Sequence, residues 1–422
     1  MHFEKLLSVM LMGKSEGKKP VSEMNIGLIG HVDHGKTTLT EALTGKFTDE
    51  HSEELKRGIS IRLGYADFQI RKCPKCEPPR CYTRFERCFF CGSETELKRV
   101  VSIVDCPGHE TLMATMLTGA SLMDAAILVI AANEPCPQPQ TAEHLMAVNV
   151  VGIDKIIIVQ NKIDLVSEEE AIKNYEQIRE FVKGTVAENA PIIPISAQHG
   201  ANIDVLMEAI EKYFPTPKRD KSKSLLMYVA RSFDVNKPGK DIKQVVGGVL
   251  GGSIVQGVVK VGDEIEIRPG IEGKDGKYEP LITKVTKIMQ GSVELEEGTP
   301  GGLVAVSTTL DPSLTKADAM VGNVVGHVNE LPETLYEVDM EYHPLPRMKG
   351  TKEEFKVEKL KVGDAVLMNV GTARTVGVCT GVKGDVCTFK LKIPICAKEG
   401  DKAALSMQIN GRWRLIGYGV LK

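Results

Sequence analysis

In the first half of the chain, short apolar runs alternate with segments whose apolar positions recur at helical spacing. The apolar runs predict buried strands at residues 24–29, 101–105, 125–131, 155–160 and 192–195. The helical spacing covers residues 37–43, 109–123, 140–148, 167–184 and 202–213. This alternation predicts an α/β domain whose sheet is mostly parallel and doubly wound.

After residue 214 the pattern changes to short Val and Ile runs separated by glycines. Residues 215–223 carry two prolines and several lysines, which is typical of a linker. The glycines that follow predict an antiparallel β-barrel with tight turns; they include Gly247-Gly248, Gly251-Gly252, Gly257, Gly262 and Gly270. The pattern restarts near residues 328–333 and predicts a second barrel that runs to Lys422.

We therefore expect a nucleotide-type domain at residues 1–215 and two β-barrels at residues 216–330 and 331–422. Turns are expected in the second barrel at Gly363-Asp364, Gly384-Asp385 and Gly400-Asp401. No short sequence repeat is evident.

Composition narrows the class of protein. The net charge of −3 indicates no strong overall attraction to nucleic acid or to a membrane surface. We find no apolar stretch long enough to span a bilayer and no signal peptide at the start. Ten cysteines without an export signal predict a reducing, cytoplasmic compartment, in which paired cysteines favour metal binding over disulfides.

The first candidate site is the loop from Gly30 to Thr37, which reads Gly-His-Val-Asp-His-Gly-Lys-Thr between a predicted strand and a predicted helix. Gly30 and Gly35 allow the backbone to turn closely around an anion. The predicted helix begins at the same place, and the positive end of its dipole also favours a negative charge. Lys36 is expected to contact the β- and γ-phosphates, and the Thr37 hydroxyl is expected to bind Mg²⁺. The alternative is a glycine-rich turn with no ligand. The predicted phosphate contacts are Asp33, His34, Gly35, Lys36, Thr37 and Thr38.

A second segment, Asp105-Cys-Pro-Gly-His109, follows the next apolar strand. Asp105 is expected to hold Mg²⁺, often through a water, and the Gly108 amide to respond to the γ-phosphate. His109 occupies the position at which a GTPase orients the attacking water. An isolated Asp-x-x-Gly is nearly uninformative, so this interpretation depends on its order after the phosphate loop.

Two further segments predict recognition of guanine. An ionised Asp164 accepts hydrogen bonds from two neighbouring guanine donors, a pair that adenine lacks. Lys162 is expected to lay its aliphatic stem over the base, and the loop after the last strand to contact guanine O6. The alternative is a strand end of no nucleotide function. The predicted base contacts are Asn161, Lys162, Asp164, Ser196, Ala197 and Gln198.

One more Mg²⁺ ligand is expected between the first helix and Asp105. Ser60, in Arg57-Gly-Ile-Ser60, is the candidate for a ligand that joins Mg²⁺ only in the triphosphate state. An ordinary solvent-facing serine is the alternative.

Two Cys-x-x-Cys pairs lie within an insert at about residues 70–95. Cys73 and Cys76 are separated from Cys88 and Cys91 by residues 77–87, a spacing that can supply four thiolates to a structural Zn²⁺. Cys81 lies between the pairs as a spare or competing ligand. The alternatives are a metal-free insert or a redox-active pair, and the presence of two pairs argues against the redox role. Other cysteines, such as Cys106 and Cys136, are expected to be small core residues.

These motifs together resemble the translational GTPases, and most closely the gamma subunits of archaeal initiation factor 2. The resemblance is carried by residues 30–38, by His51-Ser-Glu-Glu-Leu-Lys-Arg-Gly-Ile-Ser60 and by the cysteine insert. Residues 131–135 and 137–141 add to it, and residues 231–239 and 411–417 extend it into both barrels.

The resemblance implies a GTP-dependent carrier of methionylated initiator tRNA that hydrolyses GTP, with His109, Lys36 and Asp105 as catalytic residues. It implies alpha and beta partner subunits, the small ribosomal subunit as the site of action, and no membrane. It also implies that Asp33 and Gly58 hold a second Mg²⁺. Ser60 stands where the family usually has Thr, and Cys106 stands where it usually has Ala.

Two related functions and one unrelated function remain as alternatives. A selenocysteine-specific elongation factor has the same fold and is expected to carry a further C-terminal domain. The GTPase subunit of a sulfate-activating enzyme shares the phosphate loop and a barrel, but the cysteine insert and residues 231–239 argue against it. A zinc-dependent scaffold without nucleotide response is disfavoured by Lys36, Asp105 and Asp164.

Overall fold

A computed structural model describes residues 20–48, 63–109, 112–236, 239, 241, 244–345, 359–409 and 411–422. The chain forms two compact units. Among the described residues, one unit comprises Ser22–Pro217, and the other comprises Lys218–Leu345 with residues 359–422. None of the described helices is both long enough and apolar enough to cross a membrane.

The first unit is an α/β layer structure around one seven-stranded sheet. Its strands are β1 Ser22–Ile29, β2 Gly64–Lys72, β3 Tyr82–Thr83, β4 Glu96–Asp105, β5 Ala125–Ala131, β6 Ile156–Asn161 and β7 Ile192–Pro194. Its helices are α1 Lys36–Thr44, α2 Met113–Ala120, α3 Pro139–Val151, α4 Glu168–Val182 and α5 Ile203–Tyr213, with a short 3₁₀ turn at Ile163–Leu165.

The strand order is β3-β2-β4-β1-β5-β6-β7. The five strands from β4 to β7 are parallel, whereas β2 and β3 run antiparallel at one edge. The all-buried pattern of β5 and β6 is that of strands covered on both faces. This confirms the predicted mostly parallel sheet and adds an antiparallel edge.

The helix predicted at residues 109–123 is shorter in the structure, where α2 comprises Met113–Ala120. The Asp124 amide donates to the Asn25 carbonyl oxygen at 2.8 Å, and this contact leads the chain directly into β5. Apolar residues 122 and 123 continue the helical spacing because they are buried in the turn, not because the helix continues.

Buried Arg99 fixes the end of the last helix of this unit. Its guanidinium contacts the carbonyl oxygens of Ile210 at 2.9 Å and Phe214 at 2.8 Å, and it also pairs with Glu211 at 2.5 Å. The Ile210 carbonyl oxygen also accepts the Phe214 amide at 3.0 Å, and a cation at this end of the helix matches the helix dipole. Arg99 therefore ties α5 to the sheet.

The second unit contains two antiparallel barrels. Its strands are β8 Leu226–Phe233, β9 Val249–Gln256, β10 Val259–Lys260, β11 Glu264–Glu272, β12 Tyr278–Gln290, β13 Val293–Leu295, β14 Glu297–Gly298, β15 Leu303–Thr308, β16 Val324–His327, β17 Thr334–Pro344, β18 Ala365–Val370, β19 Ala373–Lys383, β20 Val386–Cys396, β21 Lys402–Ile409 and β22 Arg412–Leu421. A 3₁₀ segment, kinked at Lys316 and Ala317, lies at Pro312–Asp318.

Both barrels close through pairing of their end strands. The first has the order β11-β16-β8-β9-β15-β12, with β12 pairing back to β11, and the second has the order β17-β20-β19-β18-β21-β22. Each encloses its own apolar core. Closure pairs both edges of each of the six ring strands, and the short strand β13 is added beside β12 in the first barrel.

Two of the predicted glycine turns lie inside strands, at Gly251-Gly252 in β9 and at Gly270 in β11. Gly251 and Gly252 are in the middle of β9, beside a β-bulge in β8 between Val229 and Arg231. A Cβ atom on Gly252 would overlap the Tyr228 carbonyl oxygen. The glycine pair therefore permits close approach of two backbones, which is the other common reason for glycine in a strand.

The turns predicted at Gly262, Gly363-Asp364 and Gly400-Asp401 are confirmed, and they share one four-residue form that was not recognised as a repeat in the sequence. Its copies are Lys260-Val-Gly-Asp263, Lys361-Val-Gly-Asp364 and Lys398-Glu-Gly-Asp401. In each, the aspartate carboxylate accepts the amide of the lysine, at 2.8, 2.7 and 3.0 Å respectively. The glycine has positive φ in all three copies. In each copy the aspartate side chain closes the turn by bonding to the backbone three residues earlier, so the repeat reflects the same local turn in both barrels.

Candidate nucleotide site and metal centre

The four nucleotide motifs follow the carboxyl ends of parallel strands. The phosphate loop follows β1, the Asp105 segment follows β4, the Asn161 segment follows β6, and the Ser196 segment follows β7. Leu28 is in register with Asp105, and Val159 is in register with Ile193. Because these ends share one edge of the sheet, motifs far apart in sequence meet in one place.

The backbone of the phosphate loop has the form of an anion nest. Gly30 and Gly35 have φ of 139° and 89°, and Asp33, although not glycine, has φ of 62°. A Cβ atom on Gly30 would overlap the Val129 carbonyl oxygen, and one on Gly35 would overlap the Asn161 side chain. Helix α1 begins directly after Gly35, so its positive end faces the same turn.

Lys36 is held against the phosphate loop. Its ammonium donates to the carbonyl oxygens of Gly30 at 3.1 Å and His31 at 2.6 Å, although the side chain is almost fully buried. Thr37 and Thr38 follow it in the first turn of α1 and are half-buried. A buried cation beside a nest of amides fits a polyphosphate.

The His34 side chain is turned into the protein beneath the loop. Nδ1 lies 3.1 Å from the Val129 carbonyl oxygen, and Nε2 lies 3.4 Å from a Glu134 carboxylate oxygen. Burial lowers the pKa of His34 to about 3, so the ring is neutral despite the nearby carboxylate. Its ring therefore supports the loop from within the protein, and its backbone carbonyl oxygen accepts the Asn161 side chain.

His144, on α3, is a site residue that sequence reasoning missed. Its Nδ1 accepts the Gly30 amide at 3.0 Å, and burial lowers its pKa to about 3. The ring must be neutral to accept this hydrogen bond. This helix also buries Gln140, Thr141 and Glu143, so His144 carried no distinct signal in the sequence beyond the general rule that buried polar groups need partners.

Asn161 joins three of the loops. Its side-chain nitrogen donates to the His34 carbonyl oxygen at 2.9 Å, and its side-chain oxygen accepts the Ala197 amide at 3.0 Å. The side chain is buried. Asn161 thus sets the spacing between the phosphate loop and the predicted base-binding loops.

The predicted guanine-binding residues are adjacent in the structure. A hydrogen bond with Ser196 is the main cause that lowers the pKa of Asp164, and the His199 ring lies 3.6 Å from its carboxylate. Lys162, just before Asp164, has φ of 63°, and Gln198 is exposed at the tip of the next loop. The carboxylate is therefore ionised at neutral pH and can accept the paired donors of guanine.

Asp105 is buried at the end of β4, where its carboxylate accepts the Thr48 hydroxyl at 2.8 Å. Thr48 is a contact that no motif predicted. A Cβ atom on Gly108 would lie 2.5 Å from Lys36 Nζ and 2.7 Å from the Val32 amide. This segment therefore packs directly on the phosphate loop, and half-buried His109 follows it. The predicted Mg²⁺ residues Gly58 and Ser60 lie outside the described residues.

The four cysteines of the insert form one compact cluster. The sulfur atoms of Cys73, Cys76, Cys88 and Cys91 all lie within 4.8 Å of one another. Cys73 and Cys91 are 3.4 Å apart, and Cys76 and Cys88 are 3.7 Å apart. A zinc tetrathiolate with bonds of about 2.3 Å has sulfur–sulfur edges of roughly 3.8 Å, so the donor set fits zinc.

The backbone at the second Cys-x-x-Cys pair makes the tight turn, called a zinc knuckle, that points both sulfurs to one side. The Gly92 amide donates to the Cys88 carbonyl oxygen at 2.9 Å, and Gly92 has φ of 69°. Hydrogen bonds from Ser93 lower the pKa of Cys91 to about 6, whereas a hydrogen bond with Cys91 raises the pKa of Cys76 to about 12, so the first negative charge of the cluster lies on Cys91. Cys81 is buried next to the cluster but is not one of the four clustered ligands.

Family models match most of the chain. The "Elongation factor Tu GTP binding domain" matches residues 22–216, "Elongation factor Tu domain 2" matches residues 247–326, and "Initiation factor eIF2 gamma, C terminal" matches residues 336–421. The first unit is thus a GTP-binding domain of the elongation factor Tu type.

Curated relatives match over nearly the full length. The chain is 62% identical over 404 residues to translation initiation factor 2 subunit gamma of Methanocaldococcus jannaschii, covering 95% of this chain and 98% of the relative. It is 60% identical over 408 residues to the same subunit of Pyrococcus abyssi, covering 96% and 98%.

Solved structures with a similar fold are elongation factors. A bacterial selenocysteine-specific elongation factor superposes with a TM-score of 0.72 at 27% identity, covering 95% of this chain and 58% of that one. SelB of Methanococcus maripaludis, in complex with a GTP analogue, superposes with a TM-score of 0.71 at 22% identity, covering 96% and 80%. The fold is shared with elongation factors, but the high identity is with the initiation factor, and the chain belongs to the gamma subunits of translation initiation factor 2.

Proposed function

We propose that this chain binds GTP in order to carry methionylated initiator tRNA to the small ribosomal subunit, and that GTP hydrolysis releases the tRNA. It acts as the gamma subunit of a complex with alpha and beta subunits, in the cytoplasm. The single observation that carries the nucleotide part is the convergence of four loops at one sheet edge, where Asn161 bonds both His34 and Ala197.

The guanine base is bound by the loops after β6 and β7. Asp164 accepts the paired base donors, Lys162 covers the base, and the Ser196–Gln198 loop contacts its O6 edge. The ionised state of the Asp164 carboxylate is supported by its hydrogen bond with Ser196, which lowers the pKa of Asp164. An adenine base leaves this carboxylate without a donor, which is costly in a partly covered site.

The phosphates are held by residues 33–38, with Lys36 moving from the loop carbonyls onto the β- and γ-phosphates. Thr37, Ser60 and Asp105 are the residues that hold Mg²⁺, and Asp33 and Gly58 are those that hold a second Mg²⁺. Bound Mg²⁺ supplies neutralisation of the charge that develops on the phosphates.

Hydrolysis uses a water that His109 orients toward the γ-phosphate. Lys36 stabilises the transferred charge because it lies buried beside the loop amides. Gly108 couples the reaction to a conformational change, since its Cα packs against Lys36 and Val32 and has no room for a side chain.

Zinc has a structural role in this proposal. The four clustered cysteines would supply all the ligands that Zn²⁺ needs, so the metal would stabilise the insert and take no part in GTP chemistry. We further propose domain boundaries at residues 1–215, 216–330 and 331–422, which the matched ranges 22–216, 247–326 and 336–421 support.

The decisive experiment measures binding of methionylated initiator tRNA to the complex of this chain with its alpha subunit, once with a non-hydrolysable GTP analogue and once with GDP. We expect tight binding with the analogue and binding at least tenfold weaker with GDP, since a coupling of about 1–3 kcal/mol is typical of such switches. Equal affinity in the two nucleotide states would overturn the proposal.

A further inference from the structure

The cysteine insert presents three exposed phenylalanines. The exposed fractions of Phe85, Phe89 and Phe90 are 51%, 86% and 53%, and Phe89 is the most exposed large apolar side chain in the described parts of the chain. Phe89 and Phe90 lie between the last two cysteines and meet edge to face at 5.7 Å. Three exposed aromatic rings on one small insert, two of them in contact, are typical of an interaction surface.

Cations accompany these rings. The Arg80 guanidinium lies 5.5 Å from the Phe90 ring centre, and the Arg84 guanidinium lies 4.4 Å from the Phe85 ring centre. From Cys73 to Cys91 the chain has four basic residues, Lys75, Arg80, Arg84 and Arg87, against Glu77 and Glu86, a net +2 in a protein whose total is −3. The proposed centre of four thiolates and Zn²⁺ adds −2, so the insert as a whole is neutral. Its positive charge is local, at the Arg80 and Arg84 guanidinium groups beside the rings.

The rings stand on a rigid base. Thr95 donates to the Phe85 carbonyl oxygen at 2.6 Å and accepts Arg71 Nε at 2.9 Å, and β3 pairs with β2. The four clustered sulfurs fix the other end of the insert. Because the backbone is tied at both ends, the rings cannot fold inward to bury themselves, and they stay available to a ligand.

We propose that the surface formed by Arg80, Arg84, Phe85, Phe89 and Phe90, here called the knuckle surface, binds single-stranded RNA without sequence preference. Unstacked bases lie on the phenylalanine rings, and the two guanidinium groups neutralise the phosphates between them. This contact is additional to the capture of initiator tRNA in the proposed function and does not depend on the nucleotide state.

The chemistry favours RNA over an apolar protein partner. A helix or strand that covers three phenylalanines would also cover Arg80 and Arg84, each of which then needs a carboxylate to avoid an unpaired buried charge. Single-stranded RNA offers a stacking face and a phosphate at every nucleotide, so it satisfies rings and cations together at any register.

The test uses the full chain with GDP bound and a fluorescent oligouridylate of about twelve nucleotides, a length that spans one stacking site. Fluorescence anisotropy gives the affinity of the wild type and of the double variant Phe89→Ala/Phe90→Ala. We expect the variant to bind about tenfold or more weakly, because each lost ring removes one stacked base. Both rings are exposed, so zinc content and thermal stability should be unchanged.

Tyr213→Ala is the matched control. Tyr213 is 40% exposed with the Lys212 ammonium 5.3 Å from its ring centre, so it is also a ring with a cation but lies at the end of α5, outside the insert. Its affinity for the oligouridylate should equal that of the wild type. A loss as large as that of the double variant would overturn the assignment to the knuckle surface.

The salt dependence supplies a second readout. Arg80→Gln and Arg84→Gln should each lower the slope of log affinity against log salt concentration by about 0.7, the value for one phosphate contact on a single strand. No measurable RNA binding, or equal affinity for the wild type and the double phenylalanine variant, would overturn the proposal. If that double variant instead loses affinity for the alpha or beta subunit with its RNA affinity intact, the surface is a protein-docking site.

Discussion

The Gly30 amide donates a hydrogen bond to His144 Nδ1 across 114 positions of sequence, at a distance of 3.0 Å. The bond holds the first residue of the phosphate loop to helix α3. Since the ring nitrogen can accept only when it is unprotonated, loop geometry depends on a neutral His144.

Stability should therefore fall as pH falls below neutral. Burial lowers the pKa of both His34 and His144 from 6.5 to about 3, so between those pH values the unfolded chain takes up protons that the folded chain does not. Each histidine contributes a slope of about 1.4 kcal/mol per pH unit in that window. Urea unfolding at several pH values should show a smaller slope for His144→Gln, whose amide oxygen can still accept the Gly30 amide. An unchanged slope would contradict the assigned protonation state.

Asp164→Asn should exchange guanine specificity for xanthine specificity. The variant loses a charged acceptor for two base donors, which we expect to weaken GTP binding by roughly a hundredfold. Xanthosine triphosphate presents a carbonyl to the new amide and should bind better than it does to the wild type. Competition with a fluorescent nucleotide measures both affinities. Undiminished preference for GTP would refute the role of Asp164.

Gly108→Ala should uncouple the nucleotide from its conformational response. The new Cβ atom meets backbone at Val32 N, 2.7 Å away, and His31 C, 2.9 Å away, so the segment must move off the phosphate loop. We expect GDP binding to be retained and the difference in initiator tRNA affinity between GTP and GDP to fall to about twofold or less, since the coupling is lost. Retention of the full difference would contradict the coupling role.

His109→Ala should abolish partner-stimulated GTP hydrolysis and leave GTP affinity unchanged. The side chain is expected to orient the water and not to hold the nucleotide, so we expect a loss of about a hundredfold or more in the single-turnover rate. His199→Ala is the control, because its exposed ring lies 3.6 Å from the Asp164 carboxylate in the predicted base-binding loops. Unchanged turnover in the His109 variant would exclude this role.

One zinc per chain should copurify with the wild type and be lost from Cys73→Ala and Cys88→Ala. Each variant removes one of the four clustered thiolates, and three ligands hold structural zinc poorly. Cys81→Ala is the matched control, since Cys81 is buried in the same insert but outside the cluster. Metal analysis by mass spectrometry measures the stoichiometry. Loss of zinc in the Cys81 variant would contradict the assigned ligand set.

The sequence determined the parts of this protein whose physics is local. The positive φ of the phosphate loop is possible because glycines stand there. Apolar runs that alternate with helical spacing indicate the parallel sheet, whereas short runs separated by glycines indicate the barrels. The Cys-x-x-Cys spacing indicates two tight turns that each present two sulfurs. Those features were correctly located because each depends on residues a few positions apart. The end of α2 was predicted less well, since buried residues 122 and 123 imitate helical spacing after the helix has ended.

Only the tertiary structure decided which distant residues meet. His144 and Thr48 carry no motif, and their contacts with Gly30 and Asp105 arise because neighbouring elements converge at one sheet edge. Gly252 was expected in a turn, but it lies in a strand where the Tyr228 backbone approaches closely. Motifs express what a residue can do to its neighbours in sequence, whereas long-range partners are set by how strands pair and helices pack on them.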